Sequence, residues 1–224
     1  MTEQEWLACA DSGPMLEFLW GKASDRKLRL FAVACCRRIR HLMSNDNPER
    51  YEVAERFADG QCSTSQLGSA WALSTRLTSS TINNFPIAWN AANYADAAAG
   101  DTACTNSHEA AISVCELAQL AVNPIENKYG KADLGEEHYA QAILLKEIFG
   151  NPFRPATLDP SWLTPTVRSI ADGIYADRAF DRLPILADAL QDAGCDSDDI
   201  LSHCRSEGPH VRGCWVVDLI LAKG

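Results

Sequence analysis

The residues best equipped for chemistry crowd the C-terminal end of the sequence. Cys195, His203, Cys204, His210 and Cys214 are soft nitrogen and sulfur donors, the ligand types that zinc gathers in tetrahedral sets. A helix opening at Pro209 would place His210, Cys214 and Asp218 at i, i+4 and i+8 on one ridge, where adjacent positions can share an ion. No cofactor is the first expectation; if a metal is held, Cys204, His210, Cys214 and Asp218 are the candidate ligands and zinc the ion. The spacing is irregular and there is no CxxC knuckle. Burial of the thiols as small apolar groups is thus the first expectation, a metal site the second and a reactive thiol the third.

Asp218 interrupts the apolar run Trp215-Val216-Val217 and Leu219-Ile220-Leu221. A carboxylate there is costly unless paired, so a salt bridge to Arg178, Arg182 or Arg212 is expected, with a raised-pKa acid as the alternative. On the same helix Trp215 and Leu219 should be buried anchors.

A second constellation lies near the N-terminus. At 100° per residue, Leu28, Phe31, Cys35, Ile39 and Leu42 fall on one stripe of a helix over 24–43, while Arg26, Arg29, Arg37, Arg40 and His41 fall opposite. A basic face can hold phosphate, nucleic acid or an acidic partner. The stronger expectation is that these cations pair with the chain's own carboxylates, which outnumber its cations: the net charge is −10, and only residues 1–43 are net positive. An acidic surface repels nucleic acid and anionic membranes, so nucleic-acid binding is disfavoured. Cys35 and Cys36 are adjacent and point about 100° apart on a helix, which suits core packing better than chelation.

No phosphate-cradling Gly-rich loop, GxSxG, HExxH or EF-hand loop occurs in the sequence. An enzyme assignment therefore has no motif to stand on. The nine cysteines are an odd number. With no apolar leader after Met1, a reducing cytoplasm and free thiols are expected. No apolar run is long enough to span a bilayer.

The elements that must position these groups read as helices throughout. Thr2 and Glu5 form a capping box, Ser24 caps the basic helix, and Thr164 with Pro165 opens a helix to about 176. Further helices are expected at about 14–20, 48–60, 64–79, 86–99, 107–122, 134–149, 181–194 (capped by Asp181), 197–205 and from Pro209 onward. Seven of the twelve residues from Ala88 to Ala99 are alanine, which favours helix and close packing. Four prolines between Pro152 and Pro165 predict an extended connector near 150–165. The fold class is all-α: a multi-helix bundle or irregular array of about nine or ten helices. The chain reads as a single helical domain over 1–224, with a possible subdivision into 1–150 and 151–224.

Two blocks are distinctive. One runs from Trp6-Leu7-Ala8-Cys9 through Gly21-Lys22-Ala23-Ser24 to Cys35-Cys36-Arg37-Arg38-Ile39. The other runs from Phe149-Gly150-Asn151-Pro152-Phe153-Arg154-Pro155 through Arg178-Ala179-Phe180-Asp181 to Gly213-Cys214-Trp215-Val216-Val217-Asp218-Leu219. Together they resemble an uncharacterised planctomycete bacterial family, a domain of unknown function. The resemblance covers about half the chain, implies a bacterial origin, and carries neither an activity nor site residues. The functional expectations are, in order, a protein–protein adaptor module, a metal-binding protein or metal-dependent enzyme using the C-terminal cluster, and anion binding by the helix over 24–43.

Overall fold

The computed structural model describes residues 1–44, 49–72, 90–122 and 135–224, and among these it contains helices and no strands. Twelve α-helices follow in order: α1 Glu3–Ala8, α2 Ser12–Leu19, α3 Asp25–Arg38, α4 Glu49–Ala58, α5 over 64–72, α6 Ala91–Asp101, α7 Ser107–Val122, α8 Gly135–Phe149, α9 Pro165–Asp177, α10 Leu183–Asp192, α11 Asp198–Arg205 and α12 Trp215–Leu221. The all-α expectation holds, with somewhat more and shorter helices than anticipated.

The caps show why. Thr2 N donates to the Glu5 carboxylate at 2.7 Å while Glu5 N donates to the Thr2 hydroxyl at 3.3 Å, the reciprocal pair expected ahead of α1. Ser24 accepts from Lys27 N at the start of α3, and Thr164 accepts from Val167 N with Pro165 opening α9. Asn90 and Asn93 cap α6 reciprocally. The Asn83–Pro86 and Asn123-Pro124 breaks, the Asp46-Asn47-Pro48 cap and the end of the helix expected at 64–79 lie outside the described residues.

Three expected elements differ. The basic helix ends at Arg38; Ile39 leaves helical geometry and Arg40–Leu42 forms a single 3₁₀ turn. Asp181 caps nothing but sits inside the 3₁₀ turn Phe180–Arg182, which leads directly into α10. The last helix starts at Trp215, not Pro209. Cys214 N bonds Val211 O in a turn, and Gly213 takes φ +95°, so residues 209–214 approach the helix as a loop.

The chain divides into two compact units. One comprises Met1 and Cys9–Ala142, the other Thr2–Ala8 and Ile143–Gly224. The division falls inside α8, seven or more residues before the proline-rich connector, which belongs wholly to the second unit and contains the 3₁₀ turn Pro160–Trp162. Within the first unit α3 packs on α4 and α7, and α6 packs on α7. The stripe from α3 is buried there: Leu28, Phe31, Cys35 and Ile39 are all 3% exposed or less. In α6, Ala95, Ala98 and Ala99 are fully buried, and their small side chains permit the close approach of α7.

In the second unit α9, α10, α11 and α12 enclose a core of Val167, Ile174, Leu186, Leu190, Ile200, Val216, Val217 and Ile220. Cys195, Cys204 and Cys214 are part of it. Trp215 and Leu219 are only partly buried; the buried apolar positions of α12 are Val216, Val217 and Ile220. Val216, Val217 and Ile220 share one face of α12 at i, i+1 and i+4, and that face, with Trp215 and Leu219 at its flank, is the one that meets the core. Helix α8 ends at Gly150, where a φ of +63° favours glycine and a Cβ would lie 3.1 Å from the Trp215 ring. The Gly150 carbonyl accepts from the indole nitrogen of Trp6, which is fully buried.

Candidate metal centre

Four side chains of the second unit bring ligand atoms within 4.8 Å of one another: Glu147, His203, His210 and Cys214. They come from three separated stretches. Glu147 is in the last turn of α8, His203 in the last turn of α11, and His210 and Cys214 are in the loop that enters α12. Glu147 Oε2 lies 3.2 Å from His203 Nε2 and 3.1 Å from His210 Nδ1. His203 Nε2 lies 3.3 Å from Cys214 Sγ. The two imidazole rings meet edge to face, 5.0 Å apart. The side chains are 5%, 16% and 8% exposed for Glu147, His203 and His210, and Cys214 is fully buried.

The loop geometry explains the convergence. Val211 N donates to Glu147 Oε1 at 3.4 Å, tying the loop to α8. The Ser206 carbonyl lies 3.1 Å from His210 Nε2. A carbonyl only accepts, so the Nε2 proton of His210 points there and Nδ1 faces Glu147. A ligand imidazole whose far nitrogen donates to a carbonyl is the usual second-sphere arrangement in metal sites. His203 is held the opposite way, because the indole N–H of Trp215 donates to its Nδ1 at 3.1 Å.

Electrostatics follow from burial and from the shared carboxylate. Burial lowers the pKa of His203, with Glu147 opposing and His210 reinforcing the drop. Burial also works against charge on His210, but the hydrogen bond and charge of Glu147 and the Ser206 carbonyl outweigh it, and its pKa is raised. Burial and the Glu147 charge hold the Cys214 thiol well above its ordinary range, against hydrogen bonds from the Val217 and Val216 amides. The set can act as a buried hydrogen-bond network or as a ligand sphere. One carboxylate, two imidazoles and one thiol are a zinc donor set, and donor atoms sharing a tetrahedral ion at bond lengths of about 2.0–2.3 Å stand about 3.3–3.5 Å apart. Three of the six donor pairs, at 3.1–3.3 Å, are close to that spacing, and all six lie within 4.8 Å.

Of the four ligands expected from sequence, His210 and Cys214 are here and two are not. Cys204 is buried in the core of the second unit, its thiol pushed up to about 12, first by burial. Asp218 is 2% exposed on α12, and its amide bonds the Cys214 carbonyl in the first turn. The i, i+4, i+8 ridge does not exist because residues 209–214 are not helical. His203, one of the five soft donors, and Glu147 take the vacated roles. Glu147 carried no comparable sequence signal: it follows Lys146 in α8, and only the structure shows Leu144, Leu145 and Ile148 buried around it.

The basic helix belongs to the first unit and is largely engaged within it. Arg26 pairs with Asp59 at 3.4 Å, Arg37 with Glu55 at 2.9 Å and Arg38 with Glu137 at 3.1 Å. Arg29 is 2% exposed and donates to the carbonyls of Thr102, Cys104 and Thr105, which follow α6. A buried guanidinium there satisfies carbonyls that the end of the helix leaves open. Arg40 and His41 are exposed on the 3₁₀ turn. The face expected to meet an anion is therefore largely taken up by internal partners. All nine cysteines are free thiols.

No family model, no curated protein and no solved structure matches this chain.

Proposed function

We propose that the C-terminal unit is a transition-metal-binding module, with zinc the ion its donors favour and Glu147, His203, His210 and Cys214 as ligands. The observation that carries the reading is the convergence of four chemically suitable, largely buried donor atoms from three stretches of chain within 4.8 Å. Four protein ligands leave no open position for substrate, so the role is structural: the ion fastens the end of α8, the end of α11 and the 209–214 loop together. A protein-docking function, expected from an all-helical chain without catalytic motifs and with charge-polarised faces, ranks below it, because Arg26, Arg29 and Arg37 of the basic face have internal partners. Among the described residues no helix is long and apolar enough to cross a membrane.

Cobalt(II) titration of the full chain, followed by its visible d–d absorption, tests the proposal. One equivalent should give a tetrahedral, thiolate-containing spectrum that zinc displaces. Cys214→Ser should remove the thiolate band, and Glu147→Gln with His210→Gln should weaken binding strongly. A folded wild-type chain that returns metal-free from dialysis against either ion would sink the reading.

A further inference from the structure

The first unit carries a separate cavity, of about 550 Å³, between α2, α7 and the start of α8. That volume lies within the range of about 300–1,000 Å³ found for small-molecule sites. Its wall is apolar where Leu16, Trp20 and Ile112 line it. Among the described residues Asp11, Glu17 and Glu116 line the cavity and no lysine or arginine does, while the lining His138 pairs with Asp11 and leaves Glu17 and Glu116 as the carboxylates that face a ligand. Its floor is held by a buried polar network. The Ser12 hydroxyl donates to Gln141 Oε1 at 2.9 Å and lies 3.1 Å from Cys115 Sγ. Gln119 Nε2 donates to the same Gln141 oxygen at 2.9 Å. His138 Nδ1 meets Asp11 Oδ1 at 3.0 Å.

Two observations beyond the carboxylates point to a ligand. Trp20 leaves 61% of its surface exposed at the edge of the cavity, an unusual position for an indole, with its ring 4.1 Å from that of His108. His108, itself 8% exposed and lining the cavity, has an Nε2 with no hydrogen-bond partner. Such orphaned polar atoms are rare in native proteins, and each calls for a partner such as an ordered water, an ion or a ligand. We infer that this cavity receives a small organic cation, an amine or ammonium with an apolar body: the ammonium meets Glu17, Glu116 and the Trp20 face, and the body lies against Leu16 and Ile112. An exposed indole beside carboxylates is the arrangement that attracts such cations. Burial lowers the pKa of His108, so the ring adds no repelling charge.

The inference is independent of the metal reading, which concerns the other unit. Its test uses benzylamine, benzyl alcohol and benzoate, three probes of one shape and different charge, titrated calorimetrically into the full chain. Benzylamine should bind saturably, benzyl alcohol at least about tenfold more weakly, and benzoate not at all. The Glu17→Gln/Glu116→Gln pair and Trp20→Ala should each weaken benzylamine by about tenfold. Both change exposed side chains, and unaltered circular dichroism verifies their folding. Absent benzylamine binding at millimolar concentration, equal binding of the alcohol, or indifference to the carboxylate pair would each overturn the inference.

Discussion

Trp215 holds His203 by the nitrogen that faces away from Glu147: its indole N–H donates to Nδ1 at 3.1 Å, with the two rings 4.9 Å apart. An indole N–H can only donate, so the neutral ring carries its proton on Nε2, toward Glu147 and Cys214. A metal ion on Nε2 needs that proton on Nδ1 instead, where it would confront the indole hydrogen. Trp215 therefore opposes the ligand form of His203.

Trp215→Phe should accordingly tighten metal binding. Phenylalanine keeps an aromatic ring beside His203 and removes the donor. The expected change is about tenfold, the lower end of what second-sphere partners contribute. Competition between the protein and a chromophoric chelator measures it. Unchanged or weaker binding in the variant would show that the indole does not set the ring's proton.

Gly150→Ala should destabilise the second unit by about 2–3 kcal/mol, since a left-handed backbone and an enforced contact act together. The new Cβ would stand 3.1 Å from Trp215. Gly60 has a similar φ of +70° with nothing within 4 Å, so Gly60→Ala should lose only the backbone part, about 1 kcal/mol. Urea unfolding of the two variants separates the contact from the conformation. Equal losses would mean that Trp215 yields freely.

Thiol reactivity should follow burial. Cys9, Cys62 and Cys104 are partly exposed, whereas the other six cysteines are buried. Burial pushes Cys115 and Cys204 up to about 12, which leaves almost no thiolate at pH 8. Iodoacetamide labelling of the native chain, read by peptide mass spectrometry, should modify the first three rapidly and the six slowly. Cys35 or Cys36 reacting as fast as Cys9 would contradict the packing of α3.

Asp101 gives a pH dependence with a definite sign. Burial raises its pKa, and the Ser113 hydroxyl, donating at 2.5 Å, only partly offsets this. The folded state thus holds the proton to higher pH than the unfolded chain. The associated stability is fully present below the unfolded pKa and is lost as pH rises through the folded one. Asp101→Asn stays neutral, so its stability relative to the parent should increase as pH rises from the ordinary Asp pKa of about 4 through the raised pKa of the folded state. Denaturant titrations across that window that show a constant or falling difference would reverse the assignment.

The helical class and most helix boundaries could be read from the sequence because they are local. The Thr2/Glu5 box, the Ser24 cap, Thr164 with Pro165 and the stop at Gly150 each satisfy backbone groups within a few residues of themselves. The apolar stripe of α3 is equally local, since burial of Leu28, Phe31, Cys35 and Ile39 follows from their period alone. Even Asp218 stood out as a carboxylate inside an apolar run.

The composition of the candidate site was decided by tertiary structure. Identity and spacing marked the soft donors from Cys195 to Cys214, but the pairing of His210 with Glu147 spans 63 positions in sequence. Local propensity does not specify which distant carboxylate a loop will meet. The start of α12 at Trp215 turned a supposed ridge into a loop, which freed His210 to face α8 while Cys204 and Asp218 became buried apart from it. Arg29 makes the same point: its side of α3 reads as solvent by periodicity, yet the carbonyls after α6 supply partners that make burial of its charge tolerable. Caps and stripes arise from neighbours along the chain, whereas ligand spheres and buried charges arise from neighbours in space.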